Sequence, residues 1–305
     1  MYADPVVGES FFGRAEVLTL LNKRIDALKG GYRQNIAITG QRLCGKTSLI
    51  HQFLHTLKDS NIIPIYVEIS DESFENFVDK FIGTLLYNFF KTYIENIPED
   101  IAALLDTEKR IIPKTVESIE KIRAYLKDNK FEEAFTLLFG LTSIIREETG
   151  KPCVVILDEF HNLDLFSIKN PFANFGKRIM IQKDTMYIVA SSEVNKIKKI
   201  LSEKLALLFG NFEKIELDAF DSKTSRNFLR ERLSPARVND DILNFIIYFV
   251  DGHPYYLDVL VDKFYSKLSG MKFKMITKSI LFDIFEDEFF KSKGTFSQYF
   301  MNSIN

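Results

Sequence analysis

The chain has 305 residues, with 40 Lys and Arg against 42 Asp and Glu and a formal net charge of −2. That balance, with a pI near 6.2, leaves no global basic footprint and weakens a nucleic-acid role. A hydrophobic share of 46%, with 29 Phe and no Trp, predicts one large domain or two modest ones whose packing rests largely on Phe. Two cysteines, Cys44 and Cys153, make no disulfide framework and fit a reducing, cytoplasmic setting. The start MYADPVVGES lacks the basic flank and apolar core of a signal peptide, and no apolar run approaches a membrane span.

Within residues 11–29, Val17, Leu18, Leu20, Leu21, Ile25 and Leu28 recur at helical spacing, and Gly30-Gly31 ends the helix. Phe12-Gly13-Arg14 stands just before it. Next comes a short apolar run, Ile36 to Thr39, followed by Gly40-Gln41-Arg42-Leu43-Cys44-Gly45-Lys46-Thr47. This fits the phosphate-binding pattern G-x-x-x-x-G-K-[ST]. Its setting is right as well, because Leu49, Ile50, Phe53, Leu54 and Leu57 predict a helix after it. Glycines let backbone N–H groups curl around an anion, and the helix points its positive end at the same place. Lys46 then reaches the β- and γ-phosphates of a nucleotide, and the Thr47 hydroxyl sits on Mg²⁺.

Residues 61–70 are expected to form a buried strand, and Pro64 near its start hints at an edge or an entry. Residues 71–150 read as helical. Phe74, Phe77, Val78, Phe81, Leu85 and Phe89 mark one amphipathic helix, breaks fall near Pro98 and Pro113, and the charged stretch 118–129 is expected to be solvated. A further helix ends at Gly150 and Pro152.

The run Cys153-Val154-Val155-Ile156-Leu157 predicts a parallel strand buried on both faces, ending in Asp158-Glu159. Ligands of such sheets bind beyond the carboxyl ends of the strands. Asp158 is assigned to Mg²⁺, directly or through water, and Glu159 to orienting and deprotonating the attacking water. His161 reads as a polar residue on the following loop. His51 and His55 lie one helical turn apart with no third ligand and read as surface or packing residues, and no Cys/His set has zinc spacing. Residues 186–191 form the next buried strand, whose carboxyl end puts Ser191 beside the γ-phosphate. A Lys-rich helix over 194–208 and the short strand of FEKIELDAF follow.

This alternation predicts an α/β fold, a three-layer parallel-sheet core. After Leu217 only helical patterns remain. Asp221 caps one helix, Asp240 or Asn239 the next, Gly252 ends that one, and Pro254 opens a third. The expected organisation is a nucleotide-binding α/β domain over 1–218, a helical domain over 219–270, and a Phe-rich helical extension over 271–305 that reads as the start of an effector domain.

Several of these stretches together resemble one family: Phe12-Gly13-Arg14, GQRLCGKTSL, VVILDEF, the strand ending ASS, FEKIELDAF, and GHPYYL at 252–257. The chain over 11–265 is similar to the archaeal-type P-loop ATPases allied to the signal-transduction NTPases (STAND), close to AAA+ proteins and origin-recognition initiators. The resemblance implies a central phosphate-loop strand and an ATP/ADP site. It places Gly13 and Arg14 near the adenine and residues 40–48, through Ser48, around the phosphates. It makes Ser191 a sensor and brings Gly252 and Pro254 over the nucleotide in a helical lid. Gln41 replaces a proline common in the family, with no expected effect on phosphate contact. The family often places Gly-Arg where this chain has Leu208-Phe209-Gly210-Asn211, and no arginine lies between Ser192 and Leu217. An arginine finger supplies roughly 10³–10⁵ in turnover, so slow hydrolysis is expected unless Arg178 or a partner provides the charge.

Three functions stay open at this point. They are an ATPase switch read by a protein partner or by self-association, a nucleotide-bound interaction module with little turnover, and a DNA-acting, initiator-like ATPase. A small-molecule kinase lacks an acceptor site, and a redox role for Cys44, near helix N–H groups, is a side hypothesis.

Overall fold

The structure, a computed structural model, describes residues 4–91, 111–205, 212–270, 275–291, 294 and 296. Pro98 and the stretch Leu208–Asn211 lie outside the described residues. The chain divides into two compact units, one of residues 1–217 without 43–45, the other of residues 218–305 with them.

The first unit is a five-stranded sheet flanked by helices. In chain order it comprises α1 (Ala15–Lys29), β1 (Asn35–Thr39), α2 (Lys46–Thr56), β2 (Ile63–Glu68), α3 (Phe74–Phe90), α4 (Pro113–Lys127), α5 (Phe131–Thr149) and β3 (Cys153–Asp158). A 3₁₀ turn (Phe160–Leu165), α6 (Pro171–Ile181), β4 (Thr185–Ser191), α7 (Val194–Lys199) and β5 (Phe212–Glu216) complete it. The strand order is β2-β3-β4-β1-β5, and every pairing is parallel. The phosphate-loop strand β1 is thus interior, between β4 and β5, rather than the middle strand.

Burial follows position in the sheet. Every residue of β1, β3 and β4 is buried, as helices on both faces require, while the edge strands β2, which alternates, and β5 are only partly buried. Pro64, which has no N–H to give, sits on edge strand β2 as its chemistry predicts. The core is built on Phe: Phe77, Phe81, Phe135, Phe139, Phe160 and Phe175 are fully buried and meet mostly at tilted or edge-on angles. The stretch 118–129 is less solvated than its charge suggests, because α4 turns Ile119 and Ile122 wholly into this core. At the amino ends of the strands a buried polar network locks α5, α6 and β4. Tyr187 donates its hydroxyl to Gln182 Oε1 at 2.6 Å, and the Gln182 amide donates to Phe139 O, Thr142 and Ser143. No disulfide joins Cys44 and Cys153, both buried. Among the described residues no helix is long and apolar enough to cross a membrane.

The second unit is helical: α8 (Ser222–Leu233), α9 (Asp240–Val250), α10 (Pro254–Leu268) and α11 (Lys278–Phe285), which runs into a π-helical turn. The caps are side-chain acceptors, Asp221 for the Thr224 N–H and Asn239 for the Ile242 N–H. The α9–α10 turn passes through Asp251 and Gly252, both at positive φ. Gly252 has a packing reason to be glycine, since an added Cβ would stand 2.1 Å from Phe220 O and 3.0 Å from Ser225 Oγ. Its own carbonyl accepts from the Phe220 N–H at 3.0 Å. Gly252→Ala is expected to lower the urea midpoint of this unit by more than about 1 kcal/mol of stability. An unchanged midpoint would mean that the turn relaxes freely.

Candidate functional site

The site lies where β1, β3 and β4 end. Between β1 and α2 the chain turns back through residues 40–45. Gly45 (φ +94°) needs its missing Cβ, whereas the other left-handed residue of the turn is Leu43 (φ +61°), not Gly40. Gly40 and Cys44 are buried, while Gln41 and Arg42 face solvent. Lys46 opens α2 and is itself buried. Its ammonium folds back over the turn, donating to Gly40 O at 2.9 Å and Gln41 O at 2.8 Å. Backbone N–H groups at a helix start and a lysine held over them make a seat for phosphate oxygens. Ser48 faces the other way, its hydroxyl accepting from the Val6 N–H at 3.2 Å. The N-terminal strap continues along α2, where the Gly8 N–H donates to Gln52 Oε1 at 2.7 Å. Gly13 (φ +71°) and Arg14 (φ +60°) then turn the chain into α1.

The next helical residue, Thr47, donates its hydroxyl to Asp158 Oδ2 at 2.8 Å. Asp158 is 1% exposed, and its other oxygen accepts the Glu159 N–H at 2.9 Å. The Tyr66 hydroxyl lies 3.4 Å from the same carboxylate. Burial pushes the Asp158 carboxyl above the usual carboxylate range. The Thr47 bond opposes this shift and the Glu159 charge adds to it. Burial, helped by the Asp158 charge, also raises Tyr66 and Glu68. Mg²⁺ binds hard oxygens and keeps several of its sites for water and phosphate. A hydroxyl and a buried carboxylate in contact fit that demand. Among the described residues no group of three or more His, Cys, Asp or Glu forms an all-protein metal cage. Thr47 and Asp158 are therefore the residues that would hold the ion.

Glu159, at φ +48°, turns sharply out of β3. Its Oε2 accepts from the Ser192 N–H and Oγ–H, each at 2.9 Å, and lies 3.2 Å from His161 Nδ1. Ser191, wholly buried at the end of β4, has its Oγ 2.8 Å from the same Nδ1. The reading of His161 as a plain loop residue is thus incomplete: it is buried and joins two predicted site residues. Burial lowers its pKa, with Glu159 opposing. Ser192 was equally missed. The only local signal for either was its place, two residues after Glu159 and one after Ser191. Arg178 donates to Thr136 O at 2.9 Å and packs on Gly140, against α5. Gly252 and Pro254 lie in the helical unit described above.

A family model for an ATPase domain found predominantly in Archaea matches residues 11–260. No curated protein matches the sequence. Among solved structures, the Walker-type ATPase PABY2304 of Pyrococcus abyssi is similar at 19% identity and a TM-score of 0.58, over 85% of this chain and 69% of that one. The Aeropyrum pernix ORC2 protein in ADPNP–ADP complexes shares 14% identity, with a TM-score of 0.53 over 90% of this chain and 69% of its own. The A. pernix ORC1 protein in complex with DNA shares 12%, with a TM-score of 0.56 over 90% and 65%. At these identities the structures are likenesses of fold.

The buried Asp158 yields a test. An acid whose folded pKa is raised binds its proton more tightly folded than unfolded, so its contribution to stability is lost as pH rises through that window. At neutral pH the ligand-free protein carries the cost of a buried carboxylate. Asp158→Asn should therefore melt a few degrees higher than the parent at pH 7. The difference should shrink toward the ordinary carboxylate value of about 4, and affinity for magnesium nucleotide should fall. A lower melting point at pH 7 would contradict this.

Proposed function

Because the chain belongs to the family of ATPase domains found predominantly in Archaea and is a nucleotide-binding ATPase, we propose that it works as a Mg²⁺-dependent, slowly hydrolysing nucleotide switch of the STAND type in the cytoplasm. The observation that carries this reading is the hydrogen bond from Thr47 to Asp158, beside the turn that Lys46 spans. Residues 40–47 hold the phosphates with backbone N–H groups, and Lys46 exchanges its two carbonyl acceptors for β- and γ-oxygens. Thr47 and Asp158 hold the cation, which when bound spreads the charge of the β- and γ-phosphates. Glu159 orients and deprotonates the attacking water, and Ser191 donates to the γ-phosphate.

Slow turnover follows from charge. No arginine lies between Ser192 and Leu217, and Arg178 is committed to α5. A missing guanidinium leaves transition-state charge unmet unless a partner or a second copy supplies one. The cycle then serves to change state, which a partner reads, more than to process substrate. A DNA-directed role has in its favour only the fold shared with a DNA-bound protein, and the net charge of −2 speaks against it.

Lys46→Ala should abolish nucleotide binding, measured with a fluorescent ADP analogue. Glu159→Gln should keep binding and lose hydrolysis by roughly 10²–10⁴-fold. Turnover equal to the parent in Glu159→Gln would remove Glu159 from the role of base.

A further inference from the structure

Glu159 is held by one oxygen. Oε2 receives both Ser192 donors and faces His161 Nδ1, while Oε1 makes no hydrogen bond among the described residues. Ser191 Oγ accepts the Glu193 N–H at 3.1 Å and lies 2.8 Å from His161 Nδ1. That single ring nitrogen therefore faces a hydroxyl oxygen and a carboxylate oxygen. A bare lone pair there would face the carboxylate charge across 3.2 Å, whereas an N–H donates to Ser191 Oγ and turns its positive edge toward the carboxylate.

We propose that His161 is a positioning residue whose Nδ1–H tautomer turns the Ser191 hydroxyl into a donor and sets its positive edge beside the Glu159 carboxylate. Burial keeps the ring below its ordinary pKa, with Glu159, Glu193 and Asp164 opposing and Lys196 adding. At neutral pH the ring carries one N–H, and the geometry assigns it to Nδ1. Ser191 Oγ then accepts two hydrogen bonds, from Glu193 N–H and from His161, so its own proton is the remaining valence. Ser191 pairs in register with Thr39, the residue before Gly40, so that proton is available beside the phosphate turn. Ser192 pins Oε2, with the imidazole N–H 3.2 Å away, and leaves Oε1 to meet water. One imidazole thus couples the group that acts on the water to the group that faces the phosphoryl oxygens. This rests on the reading of Glu159 as the base.

The test compares His161→Leu, which removes the donor, with His161→Asn, whose amide nitrogen takes the place of Nδ1. In His161→Leu, kcat should fall roughly tenfold or more while KM for ATP stays within about twofold. His161→Asn should recover to within about threefold of the parent, since it restores the donor. Nitrogen-15 NMR of the histidine rings in the parent protein should show His161 protonated at Nδ1, a readout that does not depend on a variant folding. Unchanged kcat in His161→Leu, equal losses in the Leu and Asn variants, or a ring protonated at Nε2 would each overturn the proposal. Turnover kept in Glu159→Gln would instead contradict the base assignment. Turnover lost in Glu159→Gln but kept in His161→Leu would contradict this inference alone.

Discussion

The 2.8 Å hydrogen bond between Thr47 and Asp158 crosses a strand. β1 and β3 are not neighbours; β4 lies between them, which sets their axes roughly 10 Å apart at the usual strand spacing. The bond closes because the turn after β1 carries the chain over the carboxyl edge of the sheet before α2 begins. All strands are parallel, so every strand presents its carboxyl end at that edge. Asp158 is tolerable there because three donors, Thr47, the Glu159 N–H and the more distant Tyr66 hydroxyl, meet its oxygens and the Lys46 charge lies near. The remaining cost of its burial is what a bound cation would relieve.

The two ends of the sheet divide the work. At the amino ends, Asn35, Gln182, Tyr187 and Thr142 share fully buried hydrogen bonds, and the Phe cluster packs beside them. These bonds tie β1 to β4 through Asn35 Oδ1 and β4 to α5 through Gln182 and Thr142. At the carboxyl ends the polar groups are acidic or sit beside residues with strained backbone. Glu159 and Leu43 both hold positive φ, a conformation that costs non-glycine residues on the order of 1 kcal/mol.

Much of this was legible because it is local. The turn 40–47 announces itself by spacing, β3 by an unbroken apolar run before two acids, and the cap Asp221 by residue type, while Pro64 leaves edge or entry open for β2 and the sequence leaves Asp240 or Asn239 open as the cap of α9. What was not legible depends on contacts across the sheet. His161 gains its partners only once β4 is laid beside β3. Arg178 has the charge of a finger, yet the fold points it at the Thr136 carbonyl. The charged stretch 118–129 hides Ile119 and Ile122 at helical spacing, which composition alone averages away. Leu43 in a left-handed turn has no sequence signature, since side-chain chemistry does not favour it there.

The central claim is that Thr47 and Asp158 seat a cation without which Glu159 has no charge-balanced phosphoryl group to act on. Single-turnover hydrolysis of ATP bound to the protein in EDTA, started by adding Mg²⁺, tests it most directly. The account predicts that bound ATP stays intact in EDTA and is cleaved on Mg²⁺ addition, at a rate well below the ~10 s⁻¹ of a median enzyme. Cleavage at the same rate before and after Mg²⁺ would contradict it.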